Sequence, residues 1–210
     1  MKKSKMLEKL GFNSLRVNLK IIAIIIISTL LLVIDSYHSF FPLKSLDRLF
    51  LYLVIPIMVL GVFRESPANY GFRIGDWKTG LLFTFAGALG MSIIILVIAR
   101  TGDFQSYYSP YILSKLPYPI DIALDLFGWE FFFRGFLLFS LYQVCGPYAI
   151  ILQAVPFTIA HIGKPEVETL SCIFGGSAFG YLAWRTKSFF YPFILHWYIS
   201  TLTITIAAGL

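Results

Sequence analysis

Polar side chains that could perform hydrolysis lie inside three apolar stretches of this sequence. Glu130 and Arg134 interrupt a run of aromatic residues, His161 ends a second apolar stretch, and His196 and Ser200 lie in a third. A carboxylate, two imidazoles and a hydroxyl are the groups that activate water, bind a metal or stabilise an oxyanion. The spacing predicts a catalytic site only if the three stretches meet.

Glu130 and Arg134 are four residues apart, so on a helix they share one face. A charge near the middle of a bilayer costs several kcal/mol, about 3 on insertion scales, which makes each such residue a functional candidate. The pair could instead be self-neutralising and serve only to make insertion tolerable. The phenylalanines between the two residues exclude water, which suits a general base.

The histidines and one further carboxylate leave alternatives open. A lone histidine in a helix bundle is either a hydrogen-bonded core residue or a catalyst, but two histidines and a carboxylate on separate helices could converge. Glu168 follows the helix breakers Gly163 and Pro165. It is either a second carboxylate near His161 or a charge that complements a helix N-terminus.

The elements that must position these groups are membrane-spanning helices. Hydrophobic residues make up 58% of the chain and charged residues only 13%, whereas a soluble domain carries about 25% charged residues. Hydropathy predicts an all-α, polytopic membrane helix bundle of about seven spans, with a six-span version containing a re-entrant segment left open. The predicted spans cover 21–41, 46–63, 79–99, 119–141, 147–162, 168–184 and 190–208.

The charge of +6 indicates orientation rather than nucleic-acid binding. The basic residues form no phosphate-binding patch. We expect the protein to be surrounded by a lipid bilayer. We predict a basic cytoplasmic segment at 1–20, a single transmembrane domain at 21–210 and a cytoplasmic N-terminus, because one set of loops is the more basic. That side carries Lys2, Lys3, Lys5, Lys9, Arg16, Lys20, Arg64, Arg73, Lys78, Arg185 and Lys187; the other carries Lys44, Arg48, Arg100, Lys115 and Lys164.

Two further patterns concern access and packing. The loop at 100–119 contains four tyrosines and is either an interfacial connector or a lid over a site. Small residues four apart, Ala86 with Gly90 and Gly176 with Gly180, predict close helix packing.

The polar residues also form three motifs. Trp129-Glu130-x-x-x-Arg134, Phe157-x-x-x-His161 and His196-x-x-x-Ser200 lie on predicted spans four, five and seven. In order and spacing they resemble the CPBP family of intramembrane proteases (CAAX proteases and bacteriocin-processing enzymes, also called Abi), whose motifs are Glu-Glu-x-x-x-Arg, Phe-x-x-x-His and His-x-x-x-Asn or Asp. The resemblance covers about 119–200.

The resemblance implies an intramembrane endopeptidase that hydrolyses a peptide bond of a membrane-associated peptide or protein. Glu130 would activate water, alone or with help from Glu168, and Arg134 would position Glu130. His161 would bind that water or a metal, and His196 with Ser200 would stabilise the oxyanion. The expected location is the plasma membrane of a bacterium.

The cofactor and one alternative function stay open. His161 and His196 could complete a zinc site as in a metalloprotease, but a metal-free glutamate mechanism is equally allowed. At the family's first glutamate, the usual water-activating base, this chain has Trp129. The alternative is therefore a non-catalytic membrane scaffold or a bacteriocin self-immunity protein of the same fold.

Overall fold

The structure, a computed structural model, describes residues 19–210 and consists there of helices without a strand. The predicted basic segment lies, up to residue 18, outside the described residues. Seven of the helices correspond one to one with the predicted spans. The prediction of an all-α membrane bundle with about seven spans is confirmed. The helices are α1 (Leu19–Tyr37), α2 (Lys44–Val62), α3 (Trp77–Ile98), the short α4 (Gly102–Tyr108), α5 (118–145), α6 (149–159), α7 (Glu166–Thr186) and α8 (Phe190–Ala207).

Most of these helices satisfy the length and apolarity that a bilayer requires. Candidate spans, judged by length and composition, are Leu19–Tyr37, Lys44–Val62, Trp77–Ile98, Tyr118–Ile159 and Phe190–Ala207. The fourth contains both α5 and α6, which are separated by a turn at Gly146–Tyr148. The sixth predicted span corresponds to α7, which carries Glu166, Glu168 and Arg185 near its ends.

Two helices contain a segment of π-helix, a conformation that is rare and often found at functional sites. In α5 the α-helix Tyr118–Glu130 continues as the π-helix Phe131–Leu137 and then as Leu138–Cys145. In α2 the π-helix covers Phe50–Val54. The two segments contact each other through Tyr52 and Phe132, whose ring centroids are 4.7 Å apart. Glu130 thus lies where the helical register changes.

Helix α6 is much shorter than a span. Residues 149–159 extend over about 16 Å, roughly half of the ~30 Å hydrocarbon core. Close approach by α7 holds α6 in place, since a Cβ on Gly176 would lie 2.9 Å from the Phe157 ring. Gln153 also donates a hydrogen bond of 2.8 Å to the Gly176 carbonyl. His161 therefore follows a helix that is shorter than the other predicted spans and is packed against α7.

The predicted small-residue pairs differ in their outcome. The pair in α7 packs as expected, because Gly180 contacts Gln153 of α6 as closely as Gly176 contacts Phe157. In α3 the closely packed glycines are Gly80 and Gly87, where a Cβ would lie 2.5 Å from Tyr191 and 2.8 Å from Leu195, whereas a Cβ on Gly90 would meet no atom within 4 Å. The spacing of Ala86 and Gly90 therefore predicted the wrong face of α3, because spacing along one helix does not show where the neighbouring helix lies.

Candidate active site

The Glu130 carboxylate lies at the centre of a fully buried polar cluster. Glu130 and Arg134 are both 0% exposed. Glu130 Oε1 accepts hydrogen bonds from Arg134 Nη1 at 3.1 Å and from His196 Nδ1 at 2.6 Å. The structure thus brings together the first and third motifs, which are 66 residues apart in sequence. Hydrogen bonds to a charged group are the strong ones, so His196 is held firmly in one ring orientation.

Aromatic rings surround the charged end of Arg134. Its guanidinium carbon lies 3.9 Å from the centroid of Phe157 and 5.3 Å from that of Phe179. A cation is attracted to the face of an aromatic ring, and the attraction grows when water is excluded. The rings and the Glu130 carboxylate therefore share in neutralising a charge that hydrocarbon alone would not tolerate.

His161 lies in the turn that follows α6, two residues beyond the end of the span at Ile159. Its Nδ1 donates a hydrogen bond of 2.7 Å to the Phe157 carbonyl, so Nε2 carries the free lone pair. Burial lowers the pKa of His161 well below its usual range, and the nearby Lys164 charge acts in the same direction. His161 is therefore a neutral imidazole that can accept a hydrogen bond or bind a metal.

A cavity of about 760 Å³ lies between α3, α7 and α8 and ends at His161. Four predicted site residues line it: His161, His196, Ser200 and Glu168. The rest of the wall is mainly apolar, with Gly90, Met91 and Ile94 from α3 and Phe174, Gly175 and Ala178 from α7 among its members. Glu130 and Arg134 are not on the wall, and the His196 ring lies between Glu130 and the cavity.

Glu168 occupies a separate place, where α7 begins. Both of its oxygens are engaged: Oε1 accepts from Lys164 Nζ at 2.8 Å, and Oε2 accepts from the Tyr108 hydroxyl at 2.5 Å. Burial, together with the Glu168 charge, raises the pKa of Tyr108, although Lys164 opposes the shift. Burial alone would lower the pKa of Lys164, but Tyr108 and Glu168 outweigh it and raise that pKa. Glu168 is thus tied to these two groups.

Trp129 lies beside the site but away from the cavity wall. Its ring contacts His161 edge-on at 5.7 Å between centroids, and the Arg48 guanidinium lies 5.0 Å above it. Arg48 in turn pairs with Asp35 and with Asp125, at 3.2 Å and 2.8 Å. Trp129 therefore fills the space between His161 and an ionic network that joins α1, α2 and α5.

Sequence reasoning did not identify Tyr108, Lys164 or Arg48 as parts of the site region. The tyrosine-rich loop was the only signal for Tyr108, and it did not predict which tyrosine would contact Glu168. Arg48 and Lys164 counted only as loop charges. Their partners are far away in the sequence or depend on how a turn folds, so spacing could not reveal them.

A metal ion fits these residues incompletely. The Nε2 atoms of His161 and His196 are free to act as ligands, and the Nδ1–H of each is fixed by an oxygen, as is usual around metal-binding histidines. A catalytic zinc site takes three protein ligands. Within residues 19–210, no group of three or more His, Cys, Asp or Glu side chains is placed to hold a metal. The zinc site remains a prediction, and no step below passes through a metal.

Comparison with known proteins agrees with the motifs. Residues 118–202 match the family model described as type II CAAX prenyl endopeptidase Rce1-like. No curated protein and no solved structure matches the chain. The match contains all three motifs, with α5, the turn after α6 and most of α8, which carry Glu130, His161 and His196. It confirms the predicted resemblance: residues 118–202, less than half of the chain, are similar to the Rce1-like family, which is a family of proteases.

Proposed function

We propose that the protein is an intramembrane peptidase in which His196 is the general base and Glu130 acts through it. The observation that carries this proposal is the 2.6 Å hydrogen bond between His196 Nδ1 and Glu130 Oε1, with the opposite side of the His196 ring on the cavity wall. A carboxylate behind an imidazole orients the ring and stabilises its protonated form. Glu130 does not line the cavity, whereas His196 does, so His196 is the better candidate for direct contact with substrate water.

The reaction follows from these positions. His196 Nε2 takes a proton from a water molecule as that water attacks the carbonyl carbon of the substrate peptide. The protonated imidazole is stabilised by Glu130, which Arg134 keeps in place. His196 then gives the proton to the leaving amine, and the C–N bond breaks. The products are a carboxylic acid and an amine, so the atoms and charges balance.

Two other residues on the wall complete the mechanism. Ser200 lies one helical turn after His196 and lines the same cavity. Its hydroxyl donates a hydrogen bond to the oxyanion of the tetrahedral intermediate. The neutral His161 accepts a hydrogen bond at Nε2 and orients the attacking water.

The cavity also limits the choice of substrate. Its apolar wall suits the apolar part of a membrane-associated peptide or protein, such as a prenylated CAAX-type tail, a leader peptide or the terminus of a membrane protein. We further propose that the protein lies in the bacterial plasma membrane with its N-terminus in the cytoplasm. In that orientation α1 and α3 both run from the cytoplasmic side to the opposite side. Helix α4 follows α3, so the Tyr108 end of the cavity faces away from the cytoplasm.

The test is peptide cleavage by protein reconstituted in lipid nanodiscs, with chemical rescue. We expect His196→Ala and Glu130→Ala to lower kcat by about 10²-fold to 10⁴-fold, the usual contribution of general acid–base catalysis. Added imidazole should restore activity to His196→Ala. The matched control is Tyr148→Phe, an exposed residue on the turn before α6. Rescue of Glu130→Ala by formate, without rescue of His196→Ala by imidazole, would make Glu130 the base instead.

A non-catalytic member is the second candidate, and Trp129 is the observation that favours it. The indole occupies the position of the family's first glutamate and packs against His161. If wild-type protein cleaves none of a broad set of membrane-associated peptides but binds one of them, the scaffold or immunity function replaces the peptidase. Metal analysis of the same purified protein tests the zinc prediction.

A further inference from the structure

The short helix α4 covers one end of the cavity. Two of its residues, Phe104 and Tyr108, are buried, and both line the cavity. They are four residues apart and therefore lie on the same helix face. The residues between them that point away, Gln105 and Ser106, are exposed. Helix α4 thus presents an apolar face to the cavity and a polar face to the outside, as a helix at a membrane interface does.

A compact polar contact joins this helix to the turn that carries His161. The Tyr108 hydroxyl donates to Glu168 Oε2 at 2.5 Å, while Lys164 Nζ donates to Glu168 Oε1 at 2.8 Å and to the Tyr108 hydroxyl at 3.2 Å. We call these three residues the latch. Lys164 and Glu168 remain 26% and 20% exposed in their side chains, so the latch is not sealed inside the bundle. Partly exposed ion pairs contribute little stability and exchange readily with water.

We propose that residues 102–113 form a lid over the cavity and that the latch holds this lid closed. Opening requires that the Tyr108 hydroxyl leave Glu168, which removes the Tyr108 and Phe104 rings from the cavity end. Lys164 then retains Glu168 as its i,i+4 partner, so opening leaves no isolated charge. The lid admits the polar end of a substrate to His161 and His196; this part of the inference rests on the proposed function, whereas the lid movement itself does not.

A native cysteine allows lid opening to be measured without any assay of activity. Cys172 lines the same cavity and is 7% exposed, whereas Cys145 lies on α5 and is not part of the cavity wall. In a Cys145→Ser background, the rate at which N-ethylmaleimide labels Cys172 therefore reports access to the cavity. Intact mass spectrometry of the protein in nanodiscs measures that rate.

We expect Tyr108→Phe to raise the labelling rate about tenfold and Glu168→Gln to raise it in the same direction. The matched control is Tyr107→Phe, since Tyr107 is the neighbouring tyrosine on the same helix but does not line the cavity. It should leave the rate unchanged. Each variant is first checked for a single monodisperse species, and two independent latch variants guard against a local folding defect.

Equal labelling rates in wild type, Tyr108→Phe and Glu168→Gln would overturn the lid, because reagent would then reach Cys172 by another route. Peptide cleavage by the same variants separates this result from the proposed function. If the latch variants label faster while no variant cleaves any peptide, the lid stands and the peptidase fails. If cleavage depends on His196 but the latch variants label Cys172 at the wild-type rate, the peptidase proposal stands and the lid proposal fails.

Discussion

Two acid–base clusters in this molecule use almost the same chemistry at different depths. In each, a carboxylate pairs with a cation four residues away and also accepts a hydrogen bond from a second donor on another helix. Glu130 pairs with Arg134 and receives His196, and all of this lies in the dry centre of the bundle. Glu168 pairs with Lys164 and receives Tyr108 at a partly exposed end of the cavity.

Burial makes one cluster rigid and allows the other to open. Within the bundle no water can replace a lost partner, so breaking the Glu130 cluster leaves a charge uncompensated. At the cavity end water can replace Tyr108, so the Glu168 cluster can exchange partners at little cost. The same kinds of donor and acceptor therefore form a fixed support for His196 in one place and the proposed latch in the other.

The largest expected effect comes from removing one partner of the buried cluster. Arg134→Met leaves the Glu130 carboxylate without its cation, which we expect to cost about 3–5 kcal/mol of unfolding free energy. SDS-induced unfolding of the protein in micelles measures this loss. The double variant Arg134→Met/Glu130→Leu should recover a large part of it, since no unpaired charge remains. If Arg134→Met is as stable as wild type, water reaches the Glu130 cluster. That result would contradict the difference in burial between the two clusters.

An intermediate effect is expected from filling the cavity that connects the two clusters. In Gly90→Leu the new side chain enters open space, because a Cβ there meets no atom within 4 Å. Peptide cleavage should fall at least about tenfold, which corresponds to about 1.4 kcal/mol in the barrier. Stability should change by less than about 1 kcal/mol, the helix-propensity gain of replacing glycine.

Gly61→Leu is the matched control for the cavity variant. Gly61 is also helical and meets no atom within 4 Å of a built Cβ, but it lies on α2 outside the cavity wall. It should leave cleavage unchanged. Equal losses of cleavage in Gly90→Leu and Gly61→Leu would show that cleavage does not depend on the open space of the cavity.

The smallest effect is expected at the partly exposed cluster. Lys164→Met should lower the unfolding free energy by no more than about 1 kcal/mol, as for other partly exposed ion pairs. High salt should reduce even this difference, because ions screen exposed charges but not buried ones. The measurement is the same SDS titration at low and high salt. A loss as large as that of Arg134→Met would mean that the cavity end is as dry as the centre.

Local features of the fold and site were predictable from the sequence. The lengths of the apolar runs predicted the helices, since a bilayer allows little else, and the spacing of Glu130 and Arg134 predicted their pairing. The approach of His196 to Glu130 was implied by the family resemblance, since spacing alone cannot show that helices meet. The depth at which His161 reaches the same cavity as His196 was not predictable, because it depends on the length of α6, which the turn at Gly146–Tyr148 shortens.

The features that escaped prediction are those decided by tertiary contacts. The π-helical register after Glu130 has no sequence signature that hydropathy detects. The sequence pattern did not indicate that Glu168 would accept hydrogen bonds from Lys164 and Tyr108. It also did not indicate that Gly90 rather than Gly87 would face open space. Each of these outcomes depends on which helix lies opposite, and periodicity along one helix contains no such information.

The shortness of α6 has a consequence for the order in which the protein assembles during synthesis. A helix of about 16 Å cannot cross the hydrocarbon core on its own. Its Gln153 side chain finds the carbonyl of Gly176, which belongs to α7 and leaves the ribosome later. Helix α6 therefore reaches its final position only after α7 has been inserted, and His161 with it. The residues of the candidate site come together last, when the surrounding helices already separate them from the lipid.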